Sequence, residues 1–231
     1  MKLTLWERIR RAEQLLKDTR YVVKRRRKPI RPGAIHPNPQ SQPVKPTPPT
    51  RPPGHGLTGW RKNVHIVLLA TLGNPYGWTY NEVRPLALPR RRLTAAELAK
   101  PAVLKATLAK LVKAFRSDCS WGAKTAFFLA RCKDDPTGEN WNGWGNSSSA
   151  YLHLPKRPGL DNAYSPTAAA LAACEVGDIG VVGVNGSDHV FVILEKGENP
   201  LVWSDGHGGA PDSYHVLDDA RRPISILIPK G

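Results

Sequence analysis

GDIGVVGVNGSDHVFVILE, residues 177–195, decides the fold. Two runs rich in β-branched residues, IGVVGV and HVFVILE, flank the dipeptide Asn185-Gly186. Asn-Gly tolerates the positive φ angles whose turns match the twist of paired strands, so the stretch reads as a β-hairpin. Downstream, PLVWSDGHGG (200–209) reads as a third strand ending in glycines, and RRPISILIPK (221–230) as a fourth. The meander is preceded by helical patterns, and helices followed by antiparallel strands specify an α+β domain.

Upstream, LTLWERIRRAEQLLKDTRYVV (3–23) carries Leu5, Ile9, Ala12 and Leu16 at helical spacing, and Thr4 with Glu7 forms a capping-box signature. KRRRK (24–28) follows, and then a Pro-rich stretch to Gly56 with almost no large apolar side chain, which predicts an extended linker. The expected organisation is a basic amphipathic helix and tail (1–28), a Pro-rich disordered linker (29–56) and a folded domain (57–231). Within the domain, VHIVLLATLG (64–73) is short enough to be strand or helix. LTAAELAKPAVLKATLAKLVKAF (93–115) is helical, with a second capping box at Thr94 and Glu97 and a kink or restart at Pro101. Another helix runs from Asp118 toward Cys132. Residues 133–166, dense in Gly, Asn, Ser and Trp, read as a loop, and 167–178 as a short helix entering a turn.

Charge divides the chain. Residues 1–56 hold 14 Lys and Arg against 3 Asp and Glu, a net +11, whereas residues 117–231 hold 9 against 14, a net −5. The two ends therefore serve different purposes. No apolar run is long enough to span a membrane, and the N-terminus lacks the features of a secretory signal peptide. Three scattered cysteines give neither a disulfide framework nor metal-ligand spacing.

Cys119 is the residue whose position suggests chemistry. Ser117 or Asp118 can cap the helix, leaving Cys119 in its first turn, where free N–H groups and the helix dipole favour a thiolate. Those N–H groups could also steady an acyl oxyanion. Cys132 and Cys174 lie late in helices and read as packing. A thiol nucleophile needs a base, and His189, opening the second hairpin strand, is held where it can face a packed helix. His207, beyond the third strand, or Asp205 beside it, could orient the imidazole as a third member. His36 and His55 fall in the linker, and His65, His153 and His215 have no partner pattern. Trp141, Trp144 and Asn146 sit in a loop suited to an amphiphilic ligand, although its glycines equally serve tight turns.

SDCSWG, then GDIGVVGVNGSDHVFVIL, then LVWSDGHGGAP together resemble the NlpC-type cell-wall cysteine endopeptidases, which are papain-like. Trp121 after the serine, the loop DPTGENWNGWGNSSS and the Ser-x-Gly-His-Gly-Gly ending resemble the peptidase domains of lysins from phages of actinobacteria. The resemblance covers roughly residues 60–231. It implies Cys119 as nucleophile, His189 as base, and His207, with Asp205 as the alternative, as orienting residue. It places Asp118, Ser120, Trp121, Trp141, Trp144 and Asn146 near the substrate and Gly177-Asp178 at the turn before the strand. One departure is that the glycine usual after Asp-Cys-Ser is replaced by Trp121, with Gly122 one place later. The implied activity is hydrolysis of an amide in the peptidoglycan stem peptide, with no metal or cofactor. The implied location is the host cytoplasm with delivery to the wall, or the virion. The basic N-terminus suits an anionic wall polymer, a membrane surface or nucleic acid. The competing reading is an inactive papain-like virion or nucleic-acid-binding protein.

Overall fold

The computed structural model describes residues 49–50, 54–73, 79–80, 89, 91–111, 116–132, 147–205, 211–219 and 222–230. The basic helix, the tail and most of the expected linker lie outside the described residues.

Among the described residues, six helices and a five-stranded antiparallel sheet make an α+β domain. Helix α1 (Gly59–Thr71) resolves the open choice at 64–73 in favour of helix. Its buried residues Val64, Val67, Leu68 and Thr71 recur at helical spacing, a pattern that becomes visible once the stretch from Gly59 is included. A two-residue strand β1 (Thr79–Tyr80) pairs in parallel with β2 (Arg116–Ser117). Helices α2 (Ala95–Ala99) and α3 (Pro101–Leu111) are separated at Lys100, so Pro101 restarts the helix rather than kinking it. The Thr94–Glu97 capping box forms in both directions, with Thr94 N to Glu97 Oε2 at 2.7 Å and Glu97 N to Thr94 Oγ1 at 3.3 Å.

Helix α4 (Cys119–Leu129) is buried over most of its length. Residues 147–153, read as loop, instead form helix α5 (Ser147–His153). A short α6 (Ala168–Ala172) follows. The hairpin is present as β3 (Ile179–Val182) and β4 (His189–Glu195), joined through a turn in which Asn185 has φ 55° and Gly186 φ 67°. Strand β5 (Leu201–Ser204) pairs with β4, and β6 (Asp212–His215), which the sequence did not announce, pairs with β5. The last strand, β7 (Ile224–Leu227), returns to the free side of β3, so the order is β6-β5-β4-β3-β7 rather than a simple meander.

Strand alternation gives the sheet two buried faces. Val181, Val190, Val192, Leu201 and Trp203 pack against α1 and α4. On the other face Val182, Phe191, Ile193, Val202 and Ile226 pack against Leu160 and Leu171 of the α6 side. Trp203 donates its indole N–H to Thr71 Oγ1 at 3.1 Å, locking α1 to β5. Gly180 lies opposite Phe191, and a Cβ there would stand 1.9 Å from the Phe191 ring. Ordered structure also reaches ahead of the Leu57 boundary: Thr50 bonds Glu195 and Gly54 bonds His65. Among the described residues no helix is long and apolar enough to cross a membrane.

Candidate functional site

Helix α4 starts at Cys119 because Asp118 caps it. Asp118 is extended (φ −108°, ψ 176°), and its Oδ1 accepts from Trp121 N at 2.8 Å and from Ser120 Oγ at 2.7 Å. Of the two caps the sequence allowed, the structure uses Asp118. Ser120 is 2% exposed, and its hydroxyl is committed to this cap. Trp121 is half-buried under Lys124, whose Nζ lies 4.5 Å from the ring centroid. Gly122 explains the shifted glycine: a Cβ there would sit 2.8 Å from Asp205 Oδ2 and 2.8 Å from the Trp203 ring. Its missing side chain lets the first turn of α4 lie directly on the end of β5.

That approach brings the sulfur to the start of β4. Backbone N–H groups of Val190 and Ser120 bear on the Cys119 thiol and favour its ionised form. They are outweighed. Burial pushes the thiol up to about 11, and the Asp118 and Asp205 carboxylates add to the rise. The acidity expected of a helix-start cysteine is therefore absent from the resting protein. Desolvation and two nearby carboxylates overcome the dipole.

His189 immediately precedes Val190. Its Nε2 lies 2.7 Å from Ser204 Oγ. By the register, His189 falls opposite Val182 and Ser204 opposite Phe191, so ring and serine share the face away from α4. Cys119 and His189 thus meet the first residues of β4 from different faces, so the strand register turns His189 away from the packed helix it was expected to face. Ser204 is fully buried, and the sequence reading missed it. A serine closing an apolar strand has no local signature; only the β4–β5 register reveals it.

Asp205 is fully buried beside Cys119 and Gly122, on the thiol side of the sheet. His207, Trp141, Trp144 and Asn146 lie outside the described residues. Asp178, in the turn before β3, is fully buried and takes Arg157 Nε at 2.7 Å and Arg61 Nη1 at 3.1 Å. It also accepts the Glu175 N–H at 2.8 Å, so the Gly-Asp turn is an ionic node that anchors α1 to the sheet. Cys132 and Cys174 are buried as packing residues, but both lie just past the ends of their helices and not within them, and burial pushes Cys174 up to about 12. His215 is bound through Nδ1 to Asn199 O at 2.8 Å. His65, read as having no partner pattern, is a buried acceptor for Gly54 N. Among the described residues no cluster of His, Cys, Asp and Glu is arranged to hold a metal ion.

No family model, curated protein or solved structure matches the chain.

Proposed function

We propose that this chain is a papain-like cysteine peptidase that cleaves an amide in the stem peptide of bacterial peptidoglycan, acting as a phage lysin or a virion-associated lysin. The observation that carries the reading is the placement of both groups at the first residues of β4. There the capped first residue of α4 presents a sulfur to the N–H of Val190, beside a histidine whose ring is held by Ser204. Because ring and sulfur lie on different faces of β4 at rest, the reaction requires the His189 ring to come round the strand end, where the imidazole takes the thiol proton. The Cys119 sulfur attacks the amide carbonyl as that proton leaves, and the N–H of Cys119 at the helix start supports the oxyanion. The imidazolium then protonates the departing amine, leaving a thioester. Water, deprotonated by the same ring, cleaves the thioester and restores the thiol. Because the resting thiol is neutral, proton transfer accompanies attack rather than preceding it. At rest Ser204 holds the ring, whereas the sequence pointed to His207 or Asp205 as its partner.

Purified peptidoglycan with released amines counted is the test. Wild type should release amines and Cys119→Ala should not; equal release by both removes Cys119 as nucleophile. The raised thiol pKa specifically favours a second reading, an inactive papain-like scaffold serving as a virion or nucleic-acid-binding protein. That reading requires no amine release from wild type and salt-dependent retention of the full chain on DNA.

A further inference from the structure

Two sets of hydrogen bonds fasten the segment ahead of α1 to the domain. Thr50 donates from its N–H to Glu195 Oε1 at 2.6 Å and from Oγ1 to Oε2 at 2.7 Å, both exposed. Gly54 donates its N–H to His65 Nδ1 at 2.9 Å, and this bond is buried. Leu57 N in turn bonds Gly54 O at 3.1 Å, which shapes the segment into a turn. His65 is only 2% exposed. Since Nδ1 accepts, the ring is neutral and its proton sits on Nε2. Beside it lies a pocket of about 570 Å³ walled by His55 and Leu57 of the segment, His65, Val176 and Leu194.

A protonated imidazole donates from both nitrogens and cannot accept the Gly54 N–H. Two buried donors would then face each other, costing the bond and leaving a buried amide unsatisfied. We infer that His65 is a proton-operated clasp: its neutral ring holds residues 54–57 against the domain, and protonation releases them, opening the pocket. The inference is independent of any role for Cys119.

The charged neighbours set the direction. On α1 itself, Lys62 lies against Gly54, and Arg61 is engaged with Asp178 and Val176 O. The released segment contributes His55, the turn before β3 contributes Glu175, and the end of β4 contributes Glu195 and Lys196. Glu175 and Lys196 are paired with each other at 2.7 Å. Burial holds His65 below the ordinary imidazole value of 6.5, and the Glu195 charge opposes this without overcoming it. A depressed histidine stabilises the fold fully above its unfolded value, and that stabilisation is lost as pH falls through the folded one. The clasp therefore opens on the acid side of 6.5. The exposed Thr50–Glu195 contact contributes little by itself, so the buried bond controls the segment.

The test follows the His65 ring nitrogens and the Gly54 amide of the full-length protein by NMR from pH 8 to pH 5, with the Val192 amide of β4 as reference. Corrected for intrinsic exchange, Gly54 protection should fall at least tenfold in step with the ring titration while Val192 stays protected. Persistence of Gly54 protection through the titration, or loss of both amides together, overturns the clasp. In His65→Phe, Gly54 should be unprotected at every pH, and a surviving pH step there also overturns it. Should that variant fail to fold, the wild-type titration decides without it.

Discussion

Cys119 carries opposing influences within one residue. Helix-start N–H groups favour the thiolate, and burial with two carboxylates favours the thiol. With the thiol near 11, iodoacetamide labelling of Cys119 should be slow at pH 7 and rise about tenfold per pH unit until the thiol ionises. A labelling rate already flat at pH 7, read by mass spectrometry, would mean that another group takes the proton at rest. Ser204→Ala removes one hydrogen bond from His189, worth about 1 kcal/mol. Amine release should then fall in kcat by up to about tenfold with KM unchanged. The position of Cys119 was legible in Ser-Asp-Cys-Ser ahead of an apolar helix. Its acidity was not, because the burial that raises it most, and the smaller push from Asp205, arise only when β5 packs on α4. Ser204 was hidden for the same reason, its partner being set by register and not by neighbours in sequence.

Elements were legible where local chemistry and packing agree. The Thr94–Glu97 capping box and the Asn185-Gly186 hairpin were read directly. Helix α5 was not, since three serines behind a Gly/Asn-rich stretch give a weak helix signal; Ser148 Oγ on Gly186 O at 3.2 Å ties it to the hairpin turn. Strand β6 was missed because Asp212–His215 is a short, partly exposed edge with little apolar alternation. Two substitutions probe the hairpin. Gly180→Ala sets a methyl into the Phe191 ring and should cost about 3 kcal/mol or more by urea denaturation, since the ring is fixed among Leu160, Leu171 and Ile193. Asp178→Ala strands the Arg61 and Arg157 guanidinium groups, which are 22% and 19% exposed. A loss of about 3 kcal/mol is expected, the low end for breaking a buried ion pair, because both arginines keep some access to water.

At the scale of the whole molecule, the α+β class followed from the order of patterns, whereas the return of β7 to β3 did not. Nothing local in Ile224–Leu227 says which edge it joins. The attachment of Gly54 and Thr50 was equally illegible, because both are held by groups distant in sequence. A chain beginning at Lys45 should therefore melt like the folded unit it contains, while one beginning at Leu57 should lose about 1–3 kcal/mol with the missing bonds to Glu195 and His65. Equal melting of the two would show that the leading segment adds nothing. The placement of β7 has a last effect, on synthesis. During translation β3, β4, β5 and β6 all leave the ribosome before the strand that completes β3, so the nascent sheet waits with one side of β3 bare. A chaperone, or a synthetic peptide covering 222–230 supplied to a chain stopped at 219, would find that vacant seat.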